Sequence, residues 1–150
     1  MNITEILTKE SVCVPLKATE KTSAILELVD RLHANNMLQD RDDVLRAVMV
    51  REETRSTGIG LGLAVPHGKS AGCRNLVMSV GKPAAPIDFG SPDGRPCSFI
   101  VLLASPLDKT GPHIQALASI SRMWKAEDFR IAVMKSETAD DLYAAIERQG

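Results

Sequence analysis

The stretch that decides the fold is CSFIVLLA at residues 97–104. Its apolar part, Phe99–Ala104, stops at Ser105-Pro106 and has the length of a strand, whereas a membrane-spanning helix needs roughly 20 apolar residues. A short continuous apolar run bounded by turn residues is typical of a strand that is buried in a sheet. The stretch therefore predicts part of a buried sheet and no membrane span.

Three shorter runs outside this stretch also predict strands. They are Val12–Val14, Leu63–Val65 and Asn75–Val80. The segment Asp88–Pro96 separates the last of them from Cys97 and contains the turn signal Ser91-Pro92-Asp93-Gly94. This part of the chain therefore alternates strands with turns.

Two helices are predicted before the glycine-rich middle of the chain. Apolar residues recur at helical spacing from Ala24 to Leu32 and stop before Asn35-Asn36. A second helix begins near Asp40, whose carboxylate can cap it, and ends around Glu53.

Two further helices are predicted in the last third of the chain. Gly111-Pro112 opens the first of them, because proline is preorganised for the first helical position. Thr138 and Asp141 have a spacing like that of a capping box at the start of the second. Together these elements predict an α/β fold in a single domain, residues 1–150, with a mixed β-sheet flanked by α-helices on both faces.

Composition excludes several classes of function. The chain has 150 residues with 18 basic and 19 acidic side chains, and its net charge is -1. Nucleic acid or an anionic membrane as the main partner would require a basic excess. Residues Met1–Glu10 carry no basic stretch followed by an apolar segment, so we expect a cytoplasmic protein without direct membrane insertion.

The cysteines predict reduced thiols and no metal site. Cys13, Cys73 and Cys97 are odd in number and contain no CxxC pair. Cys13 and Cys97 lie in apolar strands and are expected in the core, while Cys73 is the one thiol expected at the surface. A zinc site that combines a cysteine with His67 and His113 is disfavoured, because no pair has the spacing of zinc ligands.

His67 is the first candidate for a functional residue. It lies between Pro66 and Gly68 at the expected end of a strand, where α/β sheets place ligand sites. The preceding Gly58-x-Gly60-x-Gly62 lets backbone approach an anion, but it lacks the lysine and the Ser/Thr of a P-loop and does not fit a dinucleotide fingerprint. From the residues alone, a ligand-binding histidine and a histidine that merely bonds to backbone stay equally open.

Other polar residues have simpler interpretations. His113 is expected in the first turn of a helix, and His33 on the surface of an ordinary amphipathic helix. Glu52-Glu53 is interpreted as the solvated end of a helix and not as a catalytic dyad. Arg51, beside this pair, can turn inward as a partner for an anion.

Four stretches, in this order and at compatible spacing, closely resemble the enzyme IIA domain of the fructose/mannitol/nitrogen type of the bacterial phosphoenolpyruvate-dependent phosphotransferase system. They are STGIG at 56–60, AVPHG at 64–68, IDF at 87–89 followed by Asp93-Gly94, and HIQALA at 113–118. The resemblance runs from about Thr4 to the last helix. One departure is Leu61, where many relatives carry a polar residue.

The resemblance implies a phosphotransferase component that works through a phosphohistidine. His67 matches the histidine that accepts a phosphoryl group from the phosphocarrier protein HPr and passes it to a IIB domain in sugar uptake. His113 matches a second histidine that hydrogen-bonds the phosphoryl group, and Arg51 matches an arginine near the active site. The implied chemistry requires no cofactor and no metal.

A second function is compatible with the same residues. In the nitrogen-type branch, the phosphorylation state controls binding to regulatory target proteins instead of feeding sugar import. The sequence predicts the phosphoryl chemistry and leaves open which of the two roles it serves.

Overall fold

A computed structural model describes residues 1–150 as one mixed sheet with helices on both of its faces. Six strands form the sheet: β1 (Val12–Leu16), β2 (Gly58–Gly60), β3 (Leu63–Ala64), β4 (His67–Lys69), β5 (Val77–Pro83) and β6 (Phe99–Ser105). Five helices cover it: α1 (Lys21–Ala34), α2 (Arg41–Thr54), α3 (Thr110–Lys125), α4 (Glu127–Lys135) and α5 (Ala139–Gln149). The predicted fold class is confirmed.

Strand β6 organises the sheet. It pairs antiparallel with β5 on one side and parallel with both β3 and β4 on the other. The sheet order is β1-β5-β6-β3-β2, and β4 continues the β3 side of β6. All seven residues of β6 are buried, as its unbroken apolar sequence predicts for a central strand.

The two faces of β6 belong to two different hydrophobic cores. Ile100, Leu102 and Ala104 pack with the apolar residues of α1 and α2, whereas Phe99, Val101 and Leu103 pack with those of α3, α4 and α5. Successive side chains of a strand point to opposite faces, so one apolar run serves both cores. Helices α1 and α2 therefore cover one face of the sheet and α3 to α5 cover the other.

Helix starts agree with the sequence signals at two places and differ at one. The Asp40 carboxylate accepts from Asp43 N at 3.1 Å and Thr138 Oγ1 accepts from Asp141 N at 3.0 Å, which confirms both predicted caps. Helix α3 begins at Thr110, so Pro112 is its third residue and not its first. The position still suits proline, because the first four N–H groups of a helix have no intrahelical partner.

The segment around His67 is the main correction to the predicted elements. Leu63–Val65 does not run on as one strand that ends at His67: β3 stops at Ala64, and His67 is the first residue of β4. Pro66 lacks the N–H that a continuous ladder needs, so the chain breaks there and then pairs again with β6. His67 thus begins a strand.

No helix of the protein combines the length and the apolar character that crossing a bilayer requires.

Candidate active site

The ring of His67 is fixed by a single backbone contact. His67 begins β4 opposite Leu103 of β6, and its Nδ1 lies 2.7 Å from the carbonyl oxygen of Val65. A carbonyl only accepts, so Nδ1 carries the proton and Nε2 keeps an unshared electron pair. The half-buried imidazole is therefore held in the tautomer that leaves Nε2 free to act as a nucleophile.

The surroundings of His67 favour the neutral ring. Burial lowers the pKa of His67 below the usual histidine value; the hydrogen bond to Val65 O acts in the opposite direction, the positive charge of Arg51 lowers the pKa further, and Glu52 raises it. A lowered pKa keeps the nucleophilic form dominant at neutral pH.

An open pocket with a basic wall lies in front of this ring. Its volume is about 290 Å³, and Arg51, Arg55, Thr57 and Ile59 line it together with His67. Arg51 Nη1 donates to the carbonyl oxygen of Arg55 at 2.6 Å, which holds the guanidinium at the end of α2. Arg51 lines the pocket, and its role as a partner for an anion stays a prediction. Arg55 lines the pocket as well and was not singled out from the sequence.

His113 lies beside His67 and is not among the residues that line the pocket. The two ring centroids are 5.4 Å apart with a tilt of 59° between the planes. His113 lies in the first turn of α3, is 5% exposed, and its Nδ1 is 2.6 Å from Ser105 Oγ. Burial first, then the charges of His67 and Lys69, lowers the pKa of His113 to about 4, so this ring is neutral at pH 7.

The structure contradicts the solvated position predicted for Glu52. Its side chain is 2% exposed, and its carboxylate accepts from the backbone and the hydroxyl of Thr57 and from Lys21 Nζ. Glu53 is exposed, as predicted. The signal for burial was helical spacing: Glu52 follows Val44 and Val48 at steps of four residues on the inner face of α2.

The thiols take no part in the pocket. Cys13, Cys73 and Cys97 are all unpaired and buried, so the surface position expected for Cys73 is wrong. The carbonyl oxygen of the neighbouring Gly72 accepts from Gln39 N and Asp40 N, which holds this segment against the start of α2. Burial raises the pKa of Cys73 to about 11. No group of three or more His, Cys, Asp or Glu side chains is placed to hold a metal ion.

Similarity to characterised sequences covers almost the whole chain. A family model described as "Phosphoenolpyruvate-dependent sugar phosphotransferase system, EIIA 2" matches residues 5–149. The chain is 33% identical over 140 residues to the PTS system fructose-specific EIIABC component of Bacillus subtilis, which covers 93% of this chain and 22% of that protein. It is 30% identical over 146 residues to a nitrogen regulatory protein of Bradyrhizobium diazoefficiens, which covers 97% of this chain and 95% of that protein.

A solved structure has the same fold. The nitrogen regulatory protein IIA-Ntr from Neisseria meningitidis superimposes with a TM-score of 0.87 at 28% identity, over 96% of this chain and 98% of that one. The chain spans about a fifth of the length of the Bacillus protein (22%), so similarity to it concerns one part of that protein.

Proposed function

The chain belongs to the EIIA 2 family of the phosphoenolpyruvate-dependent sugar phosphotransferase system, and on that premise we propose that it is a cytoplasmic phosphocarrier. It accepts a phosphoryl group on His67 from the phosphohistidine of an HPr-like protein. It then passes the group to a IIB domain or protein in sugar uptake.

The observation that carries this proposal is the contact between His67 Nδ1 and Val65 O. In the transfer, the electron pair of His67 Nε2 attacks phosphorus while the P–N bond of the donor breaks and returns its electron pair to the donor's ring nitrogen. The proton on Nδ1 stays in its hydrogen bond to Val65 throughout. No proton has to move on this chain. The same arrangement therefore suits both the uptake of the phosphoryl group from the donor and its transfer to the IIB acceptor.

The pocket wall supplies the charge that the transferred group needs. A phosphoryl group on nitrogen carries close to two negative charges at neutral pH, and Arg51 and Arg55 line the pocket together with His67. Gly58 and Ile59 belong to the same wall. We propose that His113, neutral and packed against His67, supports the ring and hydrogen-bonds the phosphoryl group without becoming a second acceptor.

Exposed apolar side chains near the pocket suit a protein partner. Ile59, in the pocket wall, is 48% exposed, and Ile114, next to His113, is 59% exposed. Apolar residues around a polar centre are typical of a surface that docks transiently on other proteins. The donor and the acceptor would both use this surface in turn.

A regulatory role is the second candidate. It is favoured by the match to the Bradyrhizobium nitrogen regulatory protein over 95% of that protein's length and by the TM-score of 0.87 with the Neisseria structure. In that role the same phosphohistidine would change the affinity of the chain for regulatory target proteins. The chemistry at His67 is common to both roles.

The test is reconstitution with phosphoenolpyruvate, enzyme I and HPr, followed by intact-mass measurement. We expect one phosphoryl group that is labile in acid and stable in alkali, absent in His67→Ala and unchanged in the surface variant His33→Ala; ATP alone should give none. Phosphoryl uptake by His67→Ala would disprove the assignment. Addition of candidate IIB proteins then separates the roles, because loss of the group to a IIB protein supports sugar uptake and retention with all of them supports regulation.

A further inference from the structure

We propose that Glu52 is a positioning residue for the transfer, holding His67 in its reactive tautomer through Thr57 and Val65, and that Lys21 cancels the negative charge of Glu52 beside the phosphoryl pocket. This inference rests on His67 being the phosphoryl acceptor. It assigns a role to a buried carboxylate that does not touch the transferred group.

The Glu52 carboxylate is fully engaged by two neighbours. Oε2 accepts from Thr57 N at 2.8 Å and from Lys21 Nζ at 3.1 Å, and Oε1 accepts from Thr57 Oγ1 at 2.5 Å. A buried carboxylate is tolerated only where hydrogen bonds and an opposite charge replace water. Because two of the three bonds go to Thr57, this carboxylate fixes both the backbone and the side chain of that residue.

From Thr57 the hydrogen bonds continue to the reactive ring. The carbonyl oxygen of Thr57 accepts from Val65 N at 3.1 Å, and the carbonyl oxygen of Val65 faces His67 Nδ1 at 2.7 Å. Val65 precedes Pro66, at the break between β3 and β4, where the sheet ladder no longer holds the chain. The bond from Thr57 therefore anchors Val65 through the peptide unit before it, and the carbonyl of the next peptide unit, on the other side of the Val65 Cα, selects the tautomer of His67.

A second set of contacts fixes the residues on either side of Thr57. Ser56 Oγ donates to Phe89 O at 2.5 Å and accepts from Gly58 N at 3.0 Å. Lys21 Nζ lies 5.7 Å from the centre of the Phe89 ring. The Ser56–Gly58 segment, which lines the pocket, is thus held between Glu52 and Phe89, and Lys21 contacts both.

The positive charge of Lys21 offsets the negative charge of Glu52 near the pocket. An uncompensated anion so near the pocket would repel the incoming phosphoryl group, and repulsion between charges is strong where water is excluded. The Lys21 ammonium, with 30% of its side chain exposed, reaches the carboxylate from the start of α1 and cancels that charge. Arg51, which keeps further N–H groups besides the one bonded to Arg55 O, and Arg55 then line the pocket without an uncompensated anion near them.

The chain offers a matched control within α2. Glu53 is the neighbour of Glu52, carries the same charge and is exposed. Glu52→Gln and Glu53→Gln remove the same charge from adjacent positions, so they differ only in the contacts described above. Lys21→Met has a similar control in Lys17→Met, at an exposed lysine before the same helix.

The experiment measures the tautomer of His67 by 15N NMR of the ring nitrogens in the unphosphorylated protein, together with the rate of phosphorylation by phospho-HPr. In wild type we expect the Nδ1–H form. In Glu52→Gln we expect a mixture of the Nδ1–H and Nε2–H forms. We also expect kcat to fall by about tenfold while the KM for phospho-HPr stays within about twofold of the wild-type value, because misplacement of a reacting group acts on the chemical step. Glu53→Gln should match wild type in all three.

Lys21→Met tests the charge separately. It keeps both bonds to Thr57, so the His67 tautomer should stay Nδ1–H while the rate of phosphorylation falls by about tenfold through repulsion. Lys17→Met should leave the rate unchanged. A Lys21→Met protein with the wild-type rate would overturn the charge-cancelling role.

A purely structural glutamate would lower the melting temperature and leave the tautomer unchanged. A folded Glu52→Gln protein with wild-type tautomer and rate would overturn the proposal. If Glu52→Gln does not fold, Thr57→Val decides, because it removes only the hydroxyl bond; a wild-type tautomer and rate there would also overturn it. The tautomer is read without any phosphoryl donor, so its outcome stays distinct from a failure of His67 to be the acceptor.

Discussion

The imidazole rings of His67 and His113 lie 5.4 Å apart, with the His113 ring on the buried side of the pair. Two imidazolium ions at this distance and burial would each raise the energy of the other. Burial is the largest effect on both rings, and it lowers both pKa values. The pair is therefore built from two neutral rings, of which His67 faces the pocket and His113 supports it.

The first prediction concerns the acid stability of this arrangement. The pKa of His113 is about 4 in the folded protein, whereas a histidine in an unfolded chain titrates near ~6.5. Between these values the unfolded chain binds a proton that the native ring does not, so stability falls as the pH drops from 7 to 4. The loss should reach about 3 kcal/mol of the free energy of unfolding.

Urea denaturation at pH 7 and pH 4 measures that loss. His113→Gln, which cannot titrate, should lose less stability over the same pH interval by about the same 3 kcal/mol, and carboxylate titrations cancel in the difference. An NMR titration of the His113 ring gives an independent reading. An apparent pKa above that of an ordinary histidine would contradict the burial argument.

The second prediction concerns Ser105, the partner of His113. Ser105 is fully buried, and Ser105→Ala leaves His113 Nδ1 without its 2.6 Å contact. An unsatisfied buried group costs about 1–3 kcal/mol, so the free energy of unfolding should fall by that amount. Because the freed ring can rotate against His67, the lifetime of the phosphorylated form should shorten as well.

Ser79→Ala is the matched control for Ser105→Ala. Ser79 is equally buried, and its hydroxyl donates to Leu28 O at 3.0 Å, away from the pocket. It should lose comparable stability in chemical denaturation while the phosphoryl lifetime stays at the wild-type value. Equal lifetimes in all three proteins would show that Ser105 only supports folding.

The third prediction is that Arg51→Lys slows phosphorylation without harming the fold. Lysine keeps the positive charge but loses the planar group that donates to Arg55 O at 2.6 Å and presents several N–H groups to the pocket. We expect several-fold slower phosphorylation by phospho-HPr and a change in stability below about 1 kcal/mol.

Arg46→Lys is the comparison for Arg51→Lys. Arg46 lies in the same helix, its side chain is 69% exposed, and it pairs with Asp43 away from His67. Its phosphorylation kinetics should equal those of wild type. Identical kinetics and phosphoryl lifetime in Arg51→Lys would reject a role for the guanidinium.

Much of the fold was predictable because its signals are local. The apolar run at Phe99–Ala104, the helical spacing in α1 and the caps at Asp40 and Thr138 each depend on neighbouring residues only. Helix α4 was missed: it has nine residues, and only one residue, Ala126, separates it from the end of α3.

The site was predictable only in part, because its decisive contacts join distant parts of the chain. The His67 motif indicated a functional histidine. Which of its ring nitrogens is free depends on the position of the Val65 carbonyl oxygen, which contacts Nδ1. The buried position of Glu52 depends on Lys21, 31 residues earlier, and the bond of His113 to Ser105 depends on how α3 lies on β6. Glutamate side chains are usually solvated, so the residue type alone predicts an exposed position for Glu52, whereas the structure buries it.

The last prediction concerns Gly68, which allows β4 to lie against α2. A Cβ at this position would meet the backbone of Ala47 and Val48 at 3.0 Å and the Val48 side chain at 3.2 Å. Since helix backbone cannot give way locally, Gly68→Ala should push β4 from α2, with a loss of about 1–3 kcal/mol in the free energy of unfolding. The same shift moves His67, the adjacent residue, away from Arg51 on α2. A displacement of about 1 Å at a reacting group can cost up to 10²-fold in rate, so phosphorylation by phospho-HPr should slow by more than the lost stability explains.

Gly111→Ala serves as the stability control, because a Cβ there meets nothing within 4 Å and alanine favours the helix, which predicts a neutral or higher melting temperature. A Gly68→Ala protein with wild-type stability and rate would mean that β4 and α2 tolerate a wider spacing, and that their close approach does not place His67.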